Sequence, residues 1–217
     1  MTRFVSSLTS LAILLAAPLA FAQAGGAPQM SYEAVTHAPS GAWAEYETSV
    51  KGNPKVVKVR YALIEKSAKK IAIEIDTNTP PLGAVVIRME YEPAAAATPG
   101  EWKLAHARML AGGADAQEMP IPPNTPNLKK GDVGQVVGSS SVKTAVGTFD
   151  CKQYRATLPQ GTFDLWMSDK AFPVGLVKQS DPEGKFTTVL TATGTGATTK
   201  MTAAAPAAKP APAKSAK

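Results

Sequence analysis

Residues that carry most metal and nucleophile chemistry are scarce in this 217-residue chain, which has one cysteine, Cys151, and two histidines, His37 and His106. A single cysteine rules out an internal disulfide. In an oxidising compartment it leaves a free thiol or a bridge to another chain. Two histidines far apart in sequence and one cysteine give no His-Glu-x-x-His or Cys-x-x-Cys spacing, so no metal or other cofactor is expected. There is no Gly-x-Ser-x-Gly elbow to present a nucleophile. Gly131-x-x-Gly134 is not followed by the Lys-Ser or helix that a phosphate-cradling loop needs. Asp150 and Asp164 are formally a carboxylate pair, but at strand starts after turns they are expected to face water or bond nearby amides. The expectation is a protein without a catalytic constellation.

Long apolar runs are also missing, except at the start. Met1-Thr2-Arg3 leads into a run densest from Leu11 to Leu19, closed by Ala20-Phe21-Ala22. That run is too short to span roughly 30 Å of hydrocarbon. It reads as a secretory leader over residues 1–22, cut after Ala22, followed by a lead-in segment over 23–40. No cysteine stands just after it to take a lipid. A periplasmic or secreted protein with no membrane-spanning segment in the mature chain is expected.

Excess charge is absent from the body. The formal net charge is +6, but Arg3 leaves with the leader, and Lys200, Lys209, Lys214 and Lys217 carry four more positive charges near the C-terminus. The remainder is close to neutral, which argues against nucleic-acid binding, since that needs clustered Lys and Arg. Residues 197–217 are rich in Ala, Pro and Lys and lack aromatics. Such a segment cannot bury enough apolar surface to offset its ordering entropy, and it reads as a disordered tail. Its lysines would suit an anionic envelope surface or serve only for solubility.

What the body does have is alternation, over residues 41–196. Ala44, Tyr46, Thr48 and Val50 would point one way from Glu45 and Glu47. Val57, Val59, Tyr61 and Leu63 alternate with Lys58 and Arg60, and Ile71, Ile73 and Ile75 with Glu74 and Asp76. Val85, Ile87, Met89 and Tyr91 alternate with Arg88 and Glu90. Period-2 runs joined by short turns predict an antiparallel meander with one wet face. Eight to eleven strands are expected, with helix only around Ser31–His37 or Trp102. The segment Glu101–Leu110 leans to strand.

Phe149–Leu158 and Thr162–Ser168 flank Pro159-Gln160-Gly161. A type I turn with a glycine bulge would set Tyr154 opposite Trp166, whereas a plain two-residue loop would pair Arg155 with Asp164. The first is favoured. Cys151 lies in this hairpin. Lys152 beside it could lower the thiol pKa, but adjacent strand residues face opposite ways, so a buried, inert thiol is the stronger expectation.

Gly147-Thr148-Phe149-Asp150-Cys151, Trp166-Met167-Ser168 and Pro173-Val174-Gly175-Leu176-Val177-Lys178 come in that order after an early Gly41-Ala42-Trp43-Ala44-Glu45-Tyr46. The set resembles uncharacterised bacterial periplasmic proteins of the lipoprotein-carrier (LolA/LolB-like) half-barrel superfamily, over about residues 41–195. The resemblance implies a mainly β fold, a strongly curved antiparallel sheet whose concave face often holds acyl chains or other apolar ligands. The chain departs from the carriers in having too little helix for a clear lid and no lipid anchor, so lipoprotein transport itself is not implied. On this reading a lipid or other apolar molecule would meet Trp43, Tyr46, Tyr61, Tyr91, Phe163, Trp166 and Met167. The same residues would equally fill an ordinary core.

Overall fold

The computed structural model of the protein describes residues 30–201, apart from 80–82, 95–99, 113–114, 124, 126, 132 and 159–160. The leader read over residues 1–22 and the tail beyond residue 201 lie outside the described residues. A six-residue helix, α1 (Tyr32–His37), precedes eleven strands. They are β1 (Trp43–Val50), β2 (Asn53–Lys66), β3 (Ile71–Thr79), β4 (Gly83–Pro93), β5 (Trp102–Ala111), β6 (Gln117–Glu118), β7 (Gln135–Lys143), β8 (Thr148–Leu158), β9 (Gly161–Met167), β10 (Leu176–Ser180) and β11 (Phe186–Gly194).

All eleven belong to one antiparallel sheet in the order β6-β5-β4-β3-β2-β1-β11-β10-β9-β8-β7. Two meanders, β1–β6 and β7–β11, are joined where the first strand pairs with the last, Tyr46 facing Leu190 and Thr48 facing Thr188. The sheet does not close into a barrel, since β6 and β7 are its two edges. The Trp102 segment is strand, as its alternation leaned.

The predicted alternation positions the core. Tyr46, Tyr61, Leu63, Ile71, Ile73, Leu165, Leu176 and Leu190 are fully buried. A single apolar cluster runs from Tyr91 and Leu104 on β4 and β5 to Phe163 and Cys151 on β9 and β8. Strands lie about 4.8 Å apart, so in a flat sheet these residues would be far from one another. They share one core because the sheet curls.

The β8–β9 register differs from the favoured expectation. Arg155 faces Asp164, Ala156 faces Phe163, and Tyr154 faces Leu165, so Trp166 stands opposite Gln153 rather than Tyr154. The cause is burial: this register sets Ala156 and Tyr154 beside the inward Phe163 and Leu165, whereas the alternative would set Arg155 beside buried Leu165. Outside, the Arg155 guanidinium donates to both Asp164 oxygens at 2.8 and 3.1 Å.

The outer face is not uniformly wet. After β11 the chain runs back over β1–β4 as a strap, from Thr195 to Met201. Ala197 N–H donates to Gly41 O at 2.9 Å, and Trp43 Nε1–H to Thr195 O at 3.3 Å. Glu74 accepts from Thr199 Oγ1–H and, at 2.8 Å, from the Lys200 backbone N–H, while Lys200 Nζ pairs with Asp76. The strap buries Met201, and beneath it Ala72 and Glu74 are buried on what the sequence marks as the solvent face. Ordered contacts therefore continue to Met201, past the start of the tail read from composition.

Candidate functional site

The helix α1 decides what is left of the concave side. Ser31 caps it, its Oγ accepting from Ala34 N–H at 3.3 Å, and Ser31 N–H donates to Val174 O at 2.8 Å. At the other end Lys66 Nζ donates to the carbonyls of Thr36 and Ala38 at 2.8 and 2.6 Å, which suits a cation at a helix C-terminus. Ala34 and Val35 are fully buried. The helix can come this close because residue 175 is glycine: a Cβ there would lie 2.8 Å from Ser31 Cβ and 2.9 Å from Ala34 Cβ, at φ +86°. The plug covers much of the concavity but not all of it.

Between α1 and strands β7–β9 a cavity of about 640 Å³ remains. Its buried apolar floor is Val133 and Met167, beside buried Ser31 and Ser168 and half-buried Tyr154. Cys151 borders it, but alternation along β8 turns its side chain away from Met167, which Lys152 faces. Its exposed rim carries His37 from α1, Ser139, Ser140 and Ser141 from β7, Asp150 and Lys152 from β8, and Asp169. A volume of this size is within the range of small-molecule sites, and an apolar floor under a few polar groups is their usual make-up.

Of the seven residues singled out for an apolar ligand, Met167 lines this cavity. Tyr46, Tyr61, Tyr91 and Phe163 are core: Tyr46 and Tyr61 pack edge to face at 5.7 Å, Phe163 meets Phe186 at 5.6 Å, and all four are at most 5% exposed. Trp43 and Trp166 sit elsewhere, each under a cation. Arg60 lies 4.4 Å from the Trp43 ring centre and Lys178 lies 4.7 Å from that of Trp166, whose Nε1–H also donates to Ser140 Oγ at 3.1 Å. The seven therefore do not form one surface. Alternation places residues on a face, but it does not say which part of a curled face is already filled.

Cys151 borders the cavity with a closed rather than an activated thiol. It is 3% exposed, and Sγ–H donates to Phe149 O at 3.5 Å. Burial, helped by the charge of Asp150, pushes the thiol up to about 11. The thiolate is the nucleophile, so iodoacetamide should label the folded protein slowly at neutral pH, faster as pH rises towards 11, and rapidly after denaturation. A thiol count at neutral pH with and without denaturant checks this, and equal rates would contradict it. His37 and His106 are both exposed, on α1 and β5. Among the described residues no group of three or more His, Cys, Asp or Glu could hold a metal ion, and no helix is long and apolar enough to cross a membrane.

No model of a known protein family matches the chain, and no curated protein does. Solved structures give slight likenesses. A Bacteroides fragilis protein described as exported, with a YmcC-like fold, is 12% identical over 72% of this chain and 96% of its own, at a TM-score of 0.40. A Parabacteroides distasonis protein described as a lipoprotein is 12% identical over 77% and 100%, at 0.38. A Chlamydia trachomatis protein described as hypothetical is 13% identical over 81% and 97%, at 0.44. At these values the likenesses assign no family and carry no argument about function.

Proposed function

We propose that the protein is an exported envelope protein, periplasmic or secreted, that binds a small apolar or amphiphilic molecule without transforming it. The leader read in the sequence supports export. The observation that carries the binding reading is the 640 Å³ cavity with an apolar floor of Val133 and Met167 left open beside α1. Burying apolar ligand surface there would contribute roughly 25 cal/mol per Å². The reading narrows the expectation drawn from the lipoprotein-carrier resemblance: the ligand would sit at one end of the concave side, against β7–β9, and not along the whole face. The test is a fluorescence titration of the mature chain with the neutral dye Nile red. Saturable enhancement, at one dye per chain, is expected, and it should be lost in Ser139→Trp, which fills the exposed rim without touching the core. No saturable enhancement, or enhancement indifferent to Ser139→Trp, would contradict the site.

A second reading is favoured by the strap. Glu74 and Asp76 hold Thr199 and Lys200 on the outer face, so residues 202–217 depart from a fixed point on the sheet. We propose that this basic segment can tether the protein to an anionic envelope surface or a partner. Deleting residues 202–217 and fractionating cells is the check. Loss of envelope association is expected, and an unchanged distribution would remove the tether.

A further inference from the structure

The rim of the cavity beside α1 is lopsided in charge. Glu33, Asp150 and Asp169 line it against one lysine, Lys152, and one histidine, His37. Elsewhere on the molecule many acids are in ion pairs, although Glu92, Glu101, Asp115 and Asp181 are in none among the described residues. Glu74 and Glu90 meet Arg88, Asp76 meets Lys200, Asp164 meets Arg155, and Glu45 and Glu47 share Lys58. At the cavity, no acid is in an ion pair among the described residues. Glu33 accepts only the Ser31 hydroxyl, at 3.1 Å. The charge of Asp150 adds to burial in holding the Cys151 proton.

We infer that the molecule this cavity takes is a cationic amphiphile, an apolar body on the Val133 and Met167 floor with an amine or quaternary ammonium head at the rim. The inference rests on the binding reading above and adds the sign of the ligand. The site is the cavity; the acids decide only which head group is favoured there. A carboxylate head would meet Glu33, Asp150 and Asp169 with a single lysine to offset them. An ammonium head would be attracted by all three, and it would find acceptors in the hydroxyls of Ser139 and Ser141. Because the rim is exposed, the preference is modest and screened by salt.

The test uses two amphiphiles of equal tail, octylammonium and octanoate, each displacing Nile red from the full mature chain below its micelle concentration. Octylammonium is expected to displace at a concentration roughly threefold or more lower than octanoate at low salt, and added salt should narrow the gap. The double change Asp150→Asn with Asp169→Asn should narrow it too; both side chains are exposed. Lys152→Gln should widen it, an independent check if the double variant folds poorly. Octanoate binding as well or better would overturn the inference while leaving the cavity as a binding site, and so would a failure of both amphiphiles to displace bound dye. Absence of dye binding would remove the site, and with it the inference.

Discussion

Arg88→Ala is expected to cost roughly 3–5 kcal/mol of folding stability, read as a drop in denaturation midpoint at unchanged slope. Arg88 is the centre of a charge ladder on the outer face of β3–β5. Its Nη1 lies 3.3 Å from Glu74 and its Nε 2.7 Å from Glu90, which Arg108 also reaches at 2.7 Å. The Glu74 side chain is 3% exposed and that of Arg88 11%, since strap residues Thr199 and Lys200 lie over them. Removing Arg88 would leave a buried carboxylate without its cation, and that penalty exceeds what an exposed pair contributes. Partial burial pushes the Glu90 carboxyl up, but Arg88 and Arg108 outweigh it and hold it below its ordinary value. A lowered folded pKa contributes stability above the unfolded carboxylate range and loses it as pH falls through the folded value. The gap between wild type and Arg88→Ala should therefore shrink in acid. A gap that stays constant or grows below about pH 4 would contradict the ladder. If the strap depends on the same charges, Arg88→Ala should also speed amide exchange at Lys200.

Tyr46→Ala is expected to cost a similar amount, roughly 3–5 kcal/mol, by opening a cavity in the core. The conservative changes separate the two edge-to-face tyrosines, Tyr46 and Tyr61. Tyr46 Oη–H donates to Leu176 O at 2.9 Å, tying β1 to β10 across β11. Tyr46→Phe should thus cost about 1 kcal/mol and leave a carbonyl unpaired. The Tyr61 hydroxyl is as deeply buried and has no hydrogen-bond partner among the described residues, so Tyr61→Phe should be neutral or stabilising. The reverse order would contradict the assigned packing. Burial also pushes the hydroxyls of Tyr46, Tyr61 and Tyr91 well above the ordinary phenol value. The raised pKa means the folded state keeps its protons longer than the unfolded chain does. Stability from these groups is whole below about pH 10 and lost as pH rises further. Midpoints measured across alkaline pH should fall, with the steepest loss above that value.

Much of the sheet was legible from residues a turn apart. Tyr46, Tyr61, Ile73 and Ile87 declare the inner face by alternation alone, because each strand buries one side. Glu74 and Ala72 were not legible, because their burial comes from a strap more than a hundred positions away. The β8–β9 register was open because Pro159-Gln160-Gly161 permits two loops, and what decides between them is that Ala156 and Tyr154, not Arg155, join the inward Phe163 and Leu165. The cavity was the least legible feature. It exists because Ser31 binds Val174 and lets α1 fill one part of the concave side while leaving another. Gly175 was the available signal, since a glycine amid Pro-Val and Leu-Val marks a close approach of backbone to something. The serine run on β7 carries no sequence signal that it lines a cavity.

Methyl NMR of the mature chain during a Nile red titration tests the central claim most directly, because the methionines sample both parts of the concave side. Met167 floors the cavity, while Met89 lies on β4, its sulfur accepting from Tyr91 Oη–H at 3.7 Å. A saturable shift of the Met167 methyl with Met89 unmoved is the expected result. Movement of Met89 with Met167 silent would place the ligand on the face assigned here to core, and would contradict the account.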